Sequence, residues 1–138
     1  MNKHFLLDTC AAIWATEGQK ISDAAVAVFI DAKSGTSAVQ VSPITGWEVG
    51  VLVAKGRLTF RTKPSIWFDG LCSLPGVGLA KLSSDILIDS SFLPGVMHGD
   101  PADRIIIATA RAEGLTIVTR DRQILNYANE GHVMALEC

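Results

Sequence analysis

The stretch DPADRIIIATARAEGLTIVTRD, residues 100–121, contains a helix start, a helix stop, a strand and an acid in direct succession. Asp100 is a good N-cap, a proline follows it in the first helical turn, and Gly114 is a typical helix stop. The apolar run 115–119 predicts a buried strand that ends just before Asp121. A helix followed at once by such a strand is typical of a parallel sheet, so this stretch predicts an α/β fold.

The rest of the chain repeats this alternation. Further strands are predicted at residues 4–8, 37–41, 79–82 and 132–136. Further helices are predicted at residues 9–16, between the N-cap Ser22 and the stop Gly35, at 43–55 and 65–74, from the N-cap Ser83 to residue 90, and at 122–129, while residues 94–99 are predicted as a loop. We therefore expect a mainly parallel sheet with helices on both faces, in one domain that spans residues 1–138.

Composition limits the class of protein. The chain has 138 residues, 49% of them hydrophobic, which suffices for one continuous core. The net charge of −2 argues against a broad basic surface. No apolar run approaches the roughly 20 residues of a membrane span, and the N-terminus lacks a leader-like apolar region, so a cytoplasmic protein is expected. Neither the cysteines nor the histidines show metal-ligand or disulfide spacing: Cys10, Cys72, Cys138, His4, His98 and His132.

Three acids are predicted to meet at one edge of the sheet. Asp8 and Asp121 follow predicted strands, and Asp103 lies in the first turn of a predicted helix. Ligands of such sheets bind beyond the carboxyl ends of the strands. This edge is therefore the predicted site.

A fourth acid, Glu48, lies within the helix predicted at residues 43–55. Its spacing from Ile44, Val51 and Leu52 places it on the apolar stripe of that helix. Because buried acids are rarely left unpaired, Glu48 is predicted to join the same site.

Clustered carboxylates need a cation, because two unit charges about 4 Å apart repel by roughly 4 kcal/mol at an effective dielectric near 20. A hard divalent ion with oxygen ligands, such as Mg²⁺, fits this need. The four acids therefore indicate metal-assisted phosphodiester chemistry.

Each acid also has a purely structural interpretation. Asp8 would cap the following helix, Asp121 would be a turn residue, Asp103 would interact with the helix dipole, and Glu48 would lie at a solvated edge of its stripe. Asp100 is explained as an N-cap alone and is only a supporting residue.

Basic residues near these acids are candidates for gripping phosphates. Four cations fall within nine residues, and three arginines flank the acids: Lys55, Arg57, Arg61, Lys63, Arg104, Arg120 and Arg122. The alternative is that they form a solvated face or ion pairs.

Four segments together resemble a known family. LLDT at 6–9, SPITGWE at 42–48, DPADRIIIATA at 100–110 and VTRD at 118–121 are similar to the motifs of PIN-domain ribonucleases, and more narrowly of VapC toxins from type II toxin–antitoxin pairs. The resemblance covers the whole chain in the same order.

This resemblance implies an α/β/α sandwich and an endoribonuclease that depends on Mg²⁺, or on Mn²⁺ as a substitute, and hydrolyses RNA with a metal-activated water. Asp8, Glu48, Asp103 and Asp121 match the acidic quartet, Thr119 matches a hydroxyl residue that orients the last acid or a water, and Thr9 is a further supporting residue. It also implies a cognate antitoxin that blocks the site, and a toxin homodimer.

Other classes stay open from the residues alone. A phosphoaspartyl hydrolase would use Asp8 as its nucleophile, but usually has a second acid two residues later, where this chain has Cys10. A receiver-like or inactive PIN-like module would use the pocket only to bind a partner.

Overall fold

The computed structural model describes residues 3–97 and 99–138. The five strands in this part of the chain are β1 (His4–Leu7), β2 (Ala38–Val41), β3 (Val77–Leu79), β4 (Thr116–Thr119) and β5 (Met134–Glu137). The helices are α1 (Thr9–Thr16), α2 (Asp23–Ser34), α3 (Pro43–Ala54), α4 (Pro64–Cys72), α5 (Ser84–Asp89), α6 (Pro101–Glu113) and α7 (Arg122–Asn129).

The strands form one parallel sheet in the order β3-β2-β1-β4-β5. In its centre, Leu7 of β1 pairs with Val41 of β2 and with Val118 of β4. The residues after these positions therefore emerge side by side at the carboxyl edge. The prediction of a mainly parallel α/β fold is confirmed.

Helices cover both faces of this sheet, as alternate residues of the strands show. Leu7 and Val118 belong to a core shared with α1 and α2, whereas Leu6 and Ile117 belong to a second core shared with α6 and α7. Successive strand side chains point to opposite faces, so neighbouring leucines in β1 bury into separate layers. The result is a three-layer α/β/α arrangement.

The predicted helix ends are confirmed where capping residues define them. Ser22, Ser42, Ser83 and Asp100 each accept a backbone N–H bond at a helix start. Gly114 ends α6 in the left-handed conformation, with a φ of 67°, and glycine adopts this conformation without strain.

Two predicted strands were wrong at their bounds. The third strand was predicted at residues 79–82 but occupies Val77–Leu79, and the last was predicted at 132–136 but occupies Met134–Glu137. In β3, Gly78 pairs with Gln40, so backbone pairing includes a residue that has no side chain to signal a strand.

Among the described residues, no helix is both long and apolar enough to cross a membrane. Of the residues singled out in the sequence, His98, which belongs to the predicted loop 94–99, lies outside the described residues.

Candidate functional site

Asp8 lies at the centre of the carboxyl edge, directly after β1. Its backbone N–H donates to the carbonyl of Val118 at 3.1 Å, and its carboxylate Oδ1 accepts the N–H of Ala11 at 2.7 Å, which caps α1. The Thr119 hydroxyl donates to Oδ2. The residue is only 5% exposed, so capping and hydroxyl contacts fix both oxygens of a buried carboxyl.

Glu48 approaches the same place from α3. The hydroxyl of Thr9, the residue after Asp8, donates to Glu48 Oε1 and lies 3.1 Å from the Thr45 hydroxyl. Thr9 and Thr45 are buried and Glu48 is half-buried. The turn directly after β1 therefore carries both Asp8 and the Thr9 hydroxyl that holds Glu48.

Asp121 comes two residues after Thr119 and caps α7. Its Oδ1 accepts the N–H groups of Gln123 at 2.8 Å and Ile124 at 3.1 Å. Its own N–H donates to the Thr119 hydroxyl at 3.0 Å. Both cap bonds end on Oδ1, so capping does not use Oδ2.

Asp103 lies in the first turn of α6, half-buried, with Asp100 as the cap of that helix. Asp100 Oδ1 accepts the Asp103 N–H at 2.8 Å. The backbone of Gly99 lies close by, since a Cβ at that position would come 3.2 Å from the Asp103 Cβ. The predicted capping role of Asp100 is confirmed.

The structural interpretation of Asp8 also holds in part, since Asp8 caps α1. Asp121, which that interpretation made a turn residue, caps α7. Capping does not account for the donation from Thr119 to Asp8, because that bond joins residues 111 positions apart. Nor does it account for the bond from Thr9 to Glu48.

The pKa values show that the acids share one electrostatic environment. Burial, followed by the charges of Asp100, Asp121, Glu48 and Asp8, raises the pKa of Asp103 to about 7.

The other two shifted acids follow the same pattern. Burial raises the pKa of Asp8, the bonds from Thr119 and Ala11 oppose this rise, and the charge of Asp121 adds to it. Burial likewise raises the pKa of Glu48, against the Thr9 bond. The carboxylates therefore repel one another, and no Lys or Arg charge contributes to the pKa shifts of these three acids.

Cys10 lies among the same acids, which sequence reasoning missed. The residue is exposed as a whole, yet burial of its thiol, and then the charges of the four acids, raise its pKa to about 11. Thr45 was missed as well. A helical threonine gives no sequence signal of its own, because its contact depends on how α1 and α3 approach each other.

A hard divalent cation fits the chemistry of this donor set, which consists of carboxylate and hydroxyl oxygens. Between residues 3 and 138, His98 aside, no three His, Cys, Asp or Glu side chains already stand at metal-holding distances. An ion would therefore have to draw together Asp8, Glu48, Asp103 and Asp121.

Two of the arginines predicted to grip phosphates bind the protein itself. Arg104 is half-buried, its Nε donates to the carbonyl of Ser90 at 2.9 Å, and its Nη1 donates to that of Met97. It thereby ties the segment before α6 to the helix that carries Asp103. Its contact with RNA stays a prediction.

Arg120 has a similar arrangement. Its Nη2 donates to the carbonyls of Lys20 and Cys138, each at 2.9 Å, and its guanidinium lies 4.2 Å from the centre of the Trp14 ring. It joins α1 and the end of β5 to the turn between Thr119 and Asp121.

The remaining predicted cations are exposed. Arg122 pairs with Glu137 at 3.4 Å, and Lys55 and Arg57 lie at the end of α3. An apolar cavity of about 950 Å³ lies elsewhere, beside Phe5, Thr116 and other residues at the amino ends of the strands, and none of the four acids lines it.

Residues 5–130 match the model of the PIN domain, and the chain therefore belongs to the PIN-domain family. Its carboxyl-edge acids lie within the matched range.

One similar relative is Ribonuclease VapC22 from Mycobacterium tuberculosis (strain ATCC 25618 / H37Rv), 29% identical over 123 residues that cover 88% of this chain and 90% of the relative. Among solved structures, VapBC2 from Rickettsia felis, bound to a DNA fragment from its promoter, is similar at a TM-score of 0.70 and 18% identity, covering 97% of this chain and 98% of the other. FitAcB from Neisseria gonorrhoeae is similar at a TM-score of 0.58 and 22% identity, covering 96% of each chain.

Proposed function

We propose that this chain is a divalent-metal-dependent endoribonuclease of the VapC type, the toxin of a toxin–antitoxin pair. The observation that carries this proposal is the network at the carboxyl edge. Thr119 donates to Asp8, Thr9 donates to Glu48, and burial, followed by neighbouring carboxylate charges, raises the pKa values of Asp8, Glu48 and Asp103. A PIN-domain match and a relative named as a ribonuclease add support.

Asp8, Glu48, Asp103 and Asp121 would hold Mg²⁺, or Mn²⁺ in its place. The ion, when bound, supplies charge neutralisation and lowers the pKa of water, which suits phosphodiester hydrolysis. Because burial and neighbouring charges raise the pKa of Asp103 to about 7 and also raise the pKa of Asp8, a bound cation would favour the ionised form of both carboxyls.

The hydroxyl residues act as positioning groups. Thr119 holds Asp8 Oδ2 while its own oxygen accepts the Asp121 N–H, so one side chain sets two acids relative to each other. Thr9, supported by Thr45, holds Glu48 in the same way. Hydrogen bonds that position the carboxylates in this way would reduce the ordering that binding an ion requires.

A phosphoaspartyl mechanism fits this geometry poorly. An attacking carboxylate needs an accessible oxygen, whereas Asp8 is 5% exposed and both of its oxygens accept hydrogen bonds. The same contacts suit a residue that holds a cation through its remaining lone pairs.

A cognate antitoxin is the proposed partner, and a homodimer is the proposed state of the toxin. The structures similar to this chain include a toxin–antitoxin complex from Klebsiella pneumoniae. RNA is the proposed substrate, in agreement with the name of the similar ribonuclease.

Cleavage of total RNA by the purified chain tests this function. Wild type should give discrete fragments with Mg²⁺ or Mn²⁺ and none with EDTA, and Asp8→Asn should give none with either ion. Asp85→Asn, which changes an exposed first-turn acid of α5, is the matched control and should cut like wild type. Equal cutting by Asp8→Asn would contradict the proposed role of the acids.

A further inference from the structure

The segment between α3 and α4 combines exposed cations with a fixed aromatic pair. We name residues 55–63 the basic connector. It contains Lys55, Arg57, Arg61 and Lys63, and all four are exposed. Among the described residues, the two ion pairs lie elsewhere, at Arg122–Glu137 and His132–Glu130.

The basic connector is held in place by aromatic contacts. Phe60 stacks on Trp67 of α4, with ring centroids 4.7 Å apart and an interplanar angle of 12°. The Trp67 Nε1–H donates to the Thr16 hydroxyl at 3.1 Å, at the end of α1. The Phe60–Trp67 stack and the Trp67–Thr16 hydrogen bond restrict this segment. Binding a ligand with its cations therefore costs less conformational entropy than it would in a free loop.

Lys63 occupies a position that stability alone disfavours. It is the N-cap of α4 and makes no side-chain cap bond there. Serine, threonine, asparagine and aspartate stabilise this position, and a cation is repelled by the positive end of the helix dipole. A residue that breaks a local rule without a visible structural gain points to a function.

The anchor of the basic connector is also linked to the acids through a single helix. α1 begins at Thr9, directly after Asp8, and ends at Thr16, where Trp67 binds. Along the helix axis, Thr9 and Thr16 are about 11 Å apart at a rise of 1.5 Å per residue. A stacked nucleic-acid strand covers this distance with about three nucleotides, at a rise of ~3.4 Å each.

We propose that the basic connector is a phosphate-binding subsite for single-stranded RNA, which grips the backbone a few nucleotides from the acids. This inference rests on the proposed function and adds a location for substrate binding. Arg57, Arg61 and Lys63 supply the positive charge, and the Phe60–Trp67 pair fixes their position.

Binding without cleavage tests the subsite. A fluorescein-labelled oligo(U) of about 12 nucleotides is titrated by anisotropy in EDTA, on the Asp8→Asn background, at salt concentrations from about 50 to 200 mM. The connector variant is Arg57→Gln with Arg61→Gln. Its matched control is Lys3→Gln with Lys33→Gln, which removes the same charge from exposed positions outside the basic connector.

The connector variant should reduce the slope of log affinity against log salt by about 1.4, since each contact with a single strand contributes about 0.7. When the salt concentration rises fourfold, the affinity of the connector variant should fall by a factor about sevenfold smaller than the factor for its parent. The control pair should leave the slope unchanged. Equal slopes for both pairs would overturn the subsite.

Lys63→Ser separates binding from folding. Serine is a better N-cap, so the melting temperature should stay the same or rise, while affinity for oligo(U) falls. Unchanged affinity in this variant would overturn the role of Lys63.

Two further results have defined meanings. If the connector variant binds oligo(U) like its parent but loses a purified protein partner, the surface binds protein and the RNA subsite is wrong. If oligo(U) binding depends on the basic connector but wild type never cuts RNA, the subsite stands and the proposed nuclease function fails.

Discussion

Replacing Asp103 by asparagine removes a carboxyl with a raised pKa. Burial and the acidic neighbours raise this pKa from 3.8 to about 7. Without divalent ions, this residue should make stability fall as pH rises. Between the two pKa values the folded chain keeps the proton that the unfolded chain has already released. Raising the pH through this window therefore favours unfolding, and the loss of stability is complete once the pH has passed about 7.

The size of the effect follows from the shift. Each pKa unit equals 1.36 kcal/mol, so a rise of about three units sets an upper limit near 4 kcal/mol. Asp103 is only half-buried, and solvent screening reduces this to about 1–2 kcal/mol. Asp103→Asn should match wild type near pH 4 and exceed its free energy of unfolding by about 1–2 kcal/mol at pH 8.

Urea unfolding in EDTA at a series of pH values measures this difference. Asp85→Asn, the first-turn acid of α5, is the control and should show no such gain at pH 8. A constant difference between Asp103→Asn and wild type from pH 4 to 8 would refute the reasoning, because the raised pKa would then be absent from the folded chain.

Three further changes have defined outcomes. Thr119→Val removes the donor to buried Asp8 and should cost about 1–3 kcal/mol in urea unfolding, while moving the acidic limb of the activity profile to higher pH because that bond lowers the pKa of Asp8. Arg104→Gln should increase proteolysis of the segment before α6 but leave the salt slope of RNA binding unchanged, since its guanidinium binds two carbonyls. Cys10 should react faster with a thiol reagent in Asp103→Asn, because burial first and then the acids, Asp103 included, raise its pKa to about 11.

Each of these has its own check. Thr109→Val removes a buried hydroxyl that bonds within α6, and it should leave the pH profile of activity in place. A lower salt slope in Arg104→Gln would restore this arginine as an RNA contact. The thiol assay uses a Cys72→Ser background, and no acceleration there would mean that Asp103 does not influence the Cys10 thiol.

Capping chemistry explains why so much of the fold could be predicted. The bounds of α1 and α7 were predicted as observed, since Asp8 and Asp121 follow strands and start the next helix. β3 was misplaced because Gly78 contributes backbone pairing without a side-chain pattern.

The sequence also led to four acids that the structure brings into one environment. The family resemblance added Thr119 and Thr9, but it did not show that Thr119 donates to Asp8 and Thr9 to Glu48. The bond from Thr9 to Glu48 joins residues 39 positions apart. The hydrogen-bond partners of Arg104 and Arg120 are backbone carbonyls, which every residue has. No residue pattern indicates which of those carbonyls a guanidinium will meet, because that depends on how distant segments pack.

Manganese uptake tests the proposed ion site most directly, measured by electron paramagnetic resonance of free Mn²⁺ at pH 8. Wild type should bind Mn²⁺, Asp85→Asn should bind it equally, and Asp8→Asn and Asp103→Asn should bind it far more weakly. Wild type should also bind more weakly at pH 6, where Asp103, with a pKa of about 7, holds its proton. Equal uptake by wild type and both site variants would contradict the account, because the acids at the carboxyl edge would then not hold the ion.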